Sequence, residues 1–521
     1  MSAGVTPGFA PAIATGGARS QATRDHLRIV IALEALVPTL WLAWVVIHRE
    51  PLPLADLRSA ALVTTVFCLA VIGIVIYVQR LQLLSFPVLF LGVTFLFTCS
   101  PLILYQFQGD QAFSAFEIVD IQAILVAMPV VMLAFSSFLV GSMLVRVPAE
   151  DEEARRASSD AAPEPRVRAL RHVAIALYVV SALLIIGFTL SGSALTFAFE
   201  GGHQGFHGAK RVGQLSQLVG VAMSRLLPWS LLILAATSRD RRSRIAAAVL
   251  VVPFVAVMFS TGDRGNALAA TATIASGLYL VGARIGWRRT LVLLAVIAFL
   301  IPTVLNLRRV PISQWTPQSF TAAATNNING TPAYGQTILG GFLFSMSSSY
   351  QTLMATVNVV PQQTPYHYGS DYLSSTIVAI PFRSILFPSL SVTVRDLPPS
   401  QWVLLYLHPG RTAGPGYLQL AEAYLQFGAI GVVGLYLLLG WGLIRLWRFV
   451  SSRRWNAQTL AFGLIAMSEM LIWVRNSSSL EARALSWGWL IVYVVPLVLT
   501  RRRRSLAPVR AAPATEGGVP T

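Results

Sequence analysis

The sequence predicts an all-α polytopic membrane protein with about twelve transmembrane helices and one large, partly helical extracytoplasmic loop. Three observations predict it. The 521 residues are 55% hydrophobic and only 12% charged, with a mean hydropathy of +0.64. That balance excludes a disordered chain and disfavours a water-soluble one. Apolar stretches near the roughly 20 residues needed to cross a bilayer core recur through most of the chain. The interval from Arg308 to Pro415 breaks that pattern.

The stretches fall at 28–47, 59–78, 85–106, 120–144, 172–190, 217–237, 245–261, 267–282, 290–306, 429–447, 457–474 and 484–500. Residues 1–27 lack an early apolar core and read as a disordered cytoplasmic tail before an uncleaved first helix. Residues 28–146 form an N-terminal helix group. Residues 147–170, rich in Pro, Ala, Glu and Arg, read as a solvated cytoplasmic linker. Central helices follow over 171–306, the large loop over 307–416, C-terminal helices over 417–500, and a basic cytoplasmic tail over 501–521.

The net charge of +17 raises the question of nucleic acid. The distribution of charge answers it. With the N-terminus inside, 26 of the 39 basic residues lie in inner loops and tails, and 7 in short outer loops. That excess is a positive-inside signal, so runs such as Arg501–Arg504 are topology anchors. Both termini then sit inside and the long loop outside. No nucleic-acid partner is expected. Cys68 and Cys99 fall within predicted spans and read as small buried hydrophobes.

The chain has one lysine, Lys210, and no Gly-Lys-Ser/Thr, so a Walker A site is excluded. No Asp-x-Asp pair suggests a metal-bound nucleotide sugar. Any reaction must therefore use a substrate that arrives already activated. No cofactor and no metal is expected. His203 and His207 have a ligand-like spacing, but the glycines around them argue against a helix that would present both.

The long loop carries turn chemistry at Asn326–Pro332. It also holds an apolar, Gly/Ser-rich segment at 336–358, expected to lie on or dip into the membrane. Its aromatics include Tyr334, Tyr350, Tyr366, Tyr368, Tyr372, Trp402 and Tyr406. Aromatic faces suit sugars, and they equally suit anchoring at the membrane interface. The outer basic residues Arg264, Arg308, Arg309, Arg383, Arg395, Arg411, Arg475 and Arg483 cluster where helices meet the surface. There an arginine can hold a pyrophosphate by forked, charge-assisted bonds. His367 and His408 also lie outside. Within the bilayer Glu34, Arg225 and Glu469 stand out, and the cost of an unpaired charge predicts that Arg225 and Glu469 are neighbours.

Two motifs carry the most chemistry. Ser260-Thr261-Gly262-Asp263-Arg264-Gly265-Asn266 is a tight outer turn that sets Arg264 at a helix N-terminus, a place that favours anions. Gly414-Pro415-Gly416-Tyr417-Leu418-Gln419-Leu420-Ala421-Glu422-Ala423-Tyr424-Leu425-Gln426-Phe427-Gly428 is hinged, aromatic and carries one carboxylate in an apolar amphipathic helix. Glu422 suits a base or a sugar ligand, and equally a structural ion pair with Arg411 or Arg475. Gly428, Gly431 and Gly434 then permit close helix packing.

Together with Arg475, these motifs resemble a Wzy-type O-antigen or oligosaccharide repeat-unit polymerase over roughly 260–306 and 400–500. The resemblance implies a GT-C-like polytopic membrane glycosyltransferase, metal-independent, in the bacterial inner membrane with its active site facing the periplasm. Its donor and acceptor would be polyprenyl-pyrophosphate-linked (undecaprenyl) oligosaccharides, with the lipid bilayer and a chain-length regulator as further partners. The pyrophosphate candidates are Arg264, Arg395, Arg411, Arg475 and Arg383. The catalytic candidates are Glu422, Asp371 and His408, and the glycan candidates are Tyr417 and Tyr424. A ligase moving the glycan to another lipid or a protein is the near alternative. A transporter or lipid-linked glycan flippase is the alternative of another class, disfavoured by the few midplane charges and the absence of repeated halves.

Overall fold

The computed structural model describes residues 14–50, 52, 56–113, 120–146, 164–190, 214–260, 264–282, 295–296, 299, 303, 316–324, 338–381, 403, 416–476 and 478–505. Among them every regular element is helical. Eight helices are long and apolar enough to cross a membrane, and Ala457–Trp473 is a shorter apolar helix. The chain is a multi-pass membrane protein.

The N-terminal group is α1 (Ala14–His48), α2 (Leu57–Gln79), α3 (Phe86–Gln108) and α4 (Ile121–Met143). Polar residues start two of these spans. Asp56 accepts from Ser59 N–H at 2.6 Å, and Asp120 from Gln122 N–H at 2.9 Å. Each satisfies an amide that the first helical turn leaves without an intrahelical partner. Next come α5 (Glu164–Leu190) and α6 (Gln214–Val221), the latter running through a π turn at Ala222–Leu226 into α7 (Leu227–Thr237). The helices α8 (Arg241–Ser260) and α9 (Arg264–Leu280) match the predicted pair around the short turn after Ser260. The predicted span at 290–306 and the histidines at 203 and 207 lie almost wholly or wholly outside the described residues.

The most enclosed of the eight long apolar helices is α4, which α1, α2 and later elements surround. Its hydroxyls do not need water. Ser137 donates to Leu133 O at 2.7 Å, and Thr39 of α1 meets Ser136 at 2.5 Å. Its C-terminal carbonyls, orphaned by helix geometry, are taken by long side chains from neighbours. Arg28 donates to Met143 O at 2.6 Å and Gln79 to Ser142 O at 2.7 Å. Arg448 bonds Arg146 O and, at 2.5 Å, the Gln79 amide oxygen. Cations at a helix C-terminus also complement its dipole.

Four short helices follow: α10 (Pro317–Ala324), α11 (Ile338–Ser347), α12 (Tyr350–Val359) and α13 (Ser370–Ala379). The apolar segment expected to lie on or dip into the membrane packs into the helix bundle. It breaks into α11, which packs on α3, and α12, which packs on α4 and on α14 (Gln419–Ser452). Tyr350, Leu353 and Val357 are fully buried. The hydroxyls of Thr352 and Thr356 bond their own helix, to Ser349 O at 2.7 Å and Thr352 O at 2.6 Å, which lets this segment leave water. The chain ends in α15 (Ala457–Trp473), α16 (Ser478–Trp489), a π turn at Leu490–Val494, and α17 (Val495–Ser505).

The close helix crossing is not where the glycine triplet suggested. A Cβ on Gly440 of α14 would lie 2.2 Å from Phe138 O of α4, and one on Gly141 would lie 2.0 Å from Leu437 O. Those two glycines let the backbones of α4 and α14 touch. Gly434 faces open space. Gly428 instead sits at a kink, with φ +60°, and Phe427 before it is also non-helical. Gly440→Ala should therefore destabilise the protein by about 1–3 kcal/mol through overpacking. Gly434→Ala should be neutral or gain up to about 1 kcal/mol of helix propensity. Thermal unfolding midpoints of the detergent-solubilised variants check the contrast.

Candidate functional site

The kink in α14 organises the site. A straight helix would pair Leu425 O and Gln426 O with amides one turn on. The break at Phe427–Gly428 frees both carbonyls. His367 N–H donates to Leu425 O at 3.0 Å, and Tyr368 N–H to Gln426 O at 2.9 Å. The chain then turns sharply through Tyr368 (φ +47°) and Gly369 (φ +83°) into α13. A Cβ on Gly428 would lie 2.7 Å from the Tyr366 hydroxyl, so the kink and the docked segment fit only around a bare backbone.

Before the kink, Gln419, Glu422 and Gln426 share one face of α14 by their spacing, and all three are fully buried. Gln426 clamps the docked turn. Its amide oxygen accepts Gly369 N–H at 3.0 Å, and its amide nitrogen donates to Asp371 Oδ2 at 2.5 Å. The same Oδ2 lies 2.6 Å from His367 Nδ1. Asp371 therefore fixes both the ring plane and the tautomer of His367, the arrangement that prepares an imidazole to exchange a proton at Nε2.

Glu422 is bound to the turn between α15 and α16. Its Oε2 accepts Ser478 N–H at 3.1 Å and Trp473 Nε1–H at 3.4 Å. Its Oε1 is 2.6 Å from Ser478 Oγ, which is 2.8 Å from Ser375 Oγ of α13. Ser375 in turn donates to Asp371 O at 2.7 Å. The two carboxyl candidates, Glu422 and Asp371, are thus joined through α13 and α16. Tyr372 faces the same cluster, and burial pushes its phenol and that of Tyr417 far above the ordinary range, so both remain neutral.

Arg475 follows α15. Its side chain crosses Gly416, where a Cβ would sit 2.6 Å from Nε, and its guanidinium lies 5.5 Å over the Phe97 ring. Tyr417 and Tyr424 are buried. The Tyr417 hydroxyl meets Thr356 Oγ1 at 3.2 Å, and Tyr424 stacks edge-on against Tyr366 at 6.2 Å. The aromatic surface beside them belongs to Tyr368, 71% exposed, and Phe427, 42% exposed, edge-on at 6.5 Å. Arg264 opens α9, but its side chain lies outside the described residues, as do Arg383, Arg395, Arg411 and His408 in full.

A second polar cluster adjoins the same turn of α16. Arg225, on the π turn, pairs with Glu469 of α15 as predicted. It also pairs with Glu481 of α16 at 3.1 Å, and Trp229 Nε1–H donates to Glu469 Oε1 at 2.8 Å. Glu481 was not anticipated. It lies one turn beyond Ser478, so the first turn of α16 is tied to both clusters. Glu34 faces outward on α1.

Fold and site together define a multi-pass helical membrane protein that holds a connected set of polar side chains within its helix bundle. The chain belongs to the O-antigen polysaccharide polymerase Wzy family, whose family model matches residues 53–504. No curated protein matches the chain, and no solved structure does.

Removing Arg225 would leave two buried carboxylates facing each other. Arg225→Gln should cost about 3–5 kcal/mol, the range for breaking a buried ion pair. Adding Glu481→Gln should recover part of the loss. Unfolding midpoints in detergent decide it; additive losses in the double variant would exclude the coupling.

Proposed function

We propose that the protein polymerises lipid-linked oligosaccharide repeat units on the outer face of the cytoplasmic membrane. The donor is a growing glycan on a polyprenyl pyrophosphate. The acceptor is a sugar hydroxyl on a second lipid-linked unit. Membership of the Wzy family supports the class of reaction. The observation that carries the mechanism is the His367–Asp371 pair clamped by Gln426.

In this reading the acceptor oxygen attacks the anomeric carbon and forms the new glycosidic bond. The bond from that carbon to the pyrophosphate oxygen breaks, and the pyrophosphate leaves with the electron pair. The hydroxyl proton passes to His367 Nε2, while Asp371 stabilises the resulting imidazolium at Nδ1. Arg475 stands at the end of a span, where the headgroup of a lipid pyrophosphate would lie. It would share the leaving charge with Arg264, Arg383, Arg395 and Arg411. No resident metal is needed for that balance. Tyr368 and Phe427 offer the exposed rings for a sugar, a role the buried Tyr417 and Tyr424 serve only as the packing beneath. His408 remains a second candidate acid/base group, and the outer placement of 307–416 follows from the charge asymmetry of the loops.

His367→Ala and Asp371→Asn test the pair. A positioned base contributes about 10²–10⁴-fold. In cells lacking the native copy, each variant should collapse the polymer ladder to single repeats while the protein accumulates normally. A wild-type ladder from His367→Ala would remove the histidine from the mechanism.

A further inference from the structure

Counting protons along the Glu422 chain gives a result that distances alone do not. Four oxygens stand in line: Glu422 Oε1, Ser478 Oγ, Ser375 Oγ and Asp371 O. Their separations are 2.6, 2.8 and 2.7 Å. Each contact is short enough to require a shared hydrogen. Asp371 O is a backbone carbonyl and only accepts, so the Ser375 hydrogen points to it. The Ser478 hydrogen must then fill the contact with Ser375. None is left for the contact with Glu422 unless the carboxyl brings its own.

With Glu422 ionised, only the two serine hydroxyls supply hydrogens for the three contacts, and one contact becomes lone pair against lone pair in a buried site. A neutral Glu422 fills all three in a single direction. The other carboxyl oxygen agrees. Oε2 receives two N–H donors, Ser478 N–H at 3.1 Å and Trp473 Nε1–H at 3.4 Å, as a carbonyl oxygen should, and the Ser478 N–H reaches Oε1 at the longer distance of 3.3 Å.

We infer that Glu422 is held as a neutral acid, donating to Ser478, and that it works as a positioning residue for the Asp371–His367 pair and not as the base. The chain ends on the backbone of Asp371, in the first turn of α13, so it sets where the carboxylate that orients His367 stands. Among the described residues, the titratable groups facing Glu422 are Asp371 and Tyr372 from α13 and Tyr417 ahead of α14. They are one acid and two phenols. None supplies the positive charge that would favour a carboxylate. The catalytic consequence rests on the polymerase reading above; the protonation state does not.

Glutamine is the isostere of the neutral acid. Its NH₂ can donate to Ser478 Oγ, and its carbonyl can accept from Ser478 N–H and Trp473. Glu422→Gln should therefore keep polymer synthesis within about threefold of wild type, far from the 10²–10⁴-fold loss of a missing base. Glu422→Ala and Ser478→Ala should each lower it tenfold or more (about one broken hydrogen-bond chain). A folded Glu422→Gln protein as inactive as Glu422→Ala would overturn the assignment.

Infrared difference spectroscopy of the purified full chain supplies the readout that needs no turnover. Wild type minus Glu422→Gln at neutral pH should show the carbonyl stretch of a protonated carboxylic acid. A carboxylate band in its place would overturn the inference even if the ladders agreed. Loss of the His367 effect with the acid band intact would instead sink the polymerase mechanism alone.

Discussion

An apolar helix bundle penalises a polar side chain whose donors and acceptors find no partner, because neither lipid nor apolar side chains will supply one. That constraint shapes α14. Its first two turns carry a glutamate and two glutamines on one buried face. The segments around them are arranged to meet two of these three. Gln426 draws in the turn at Gly369 and the carboxylate of Asp371, and Glu422 draws in the turn after Trp473. The site is assembled by this demand for partners. One of the elements that answer it, the turn at Gly369 with Asp371, lies in the 307–416 interval that hydropathy alone would leave unplaced.

The kink at Phe427–Gly428 and the first turn of α16 then do complementary jobs. The kink exposes carbonyls that a regular helix would consume, and they bind the His367 segment by its backbone. Backbone docking leaves the His367 and Asp371 side chains available for each other. The first turn of α16 is held twice, by Ser478 against Glu422 and by Glu481 against Arg225. The two polar clusters therefore share one helical turn as a common support.

How far the sequence can be read differs between these levels for physical reasons. The spans were legible because hydropathy is a property of composition, and α8 and α9 fall where apolar runs placed them. The Arg225–Glu469 pair was legible because a lone charge in a bilayer must find its opposite. Glu481 was not, because at the margin of a span its charge carries no such demand. His367 and Asp371 were each seen, yet their pairing depends on a left-handed turn at Tyr368–Gly369 and on carbonyls freed by a kink, and neither leaves a periodic trace. Tyr417 and Tyr424 misled for the opposite reason. An aromatic beside a polar motif fits a sugar platform and a packed interior equally well, and only burial separates the two.

The remaining step concerns why a transferase would divide its labour in this way. Departure of a pyrophosphate needs positive charge close to the headgroups, where guanidinium groups stay hydrated and charged whatever their neighbours do. Capture of a hydroxyl proton needs the reverse, a group that can change charge, fixed in one tautomer and sheltered from the arginines that would hold it unprotonated. Asp371 and Gln426 supply that fixation within the protein's own frame. On the proposed reading, a neutral Glu422 would add rigidity without adding charge, so the imidazole would answer to one carboxylate and not two.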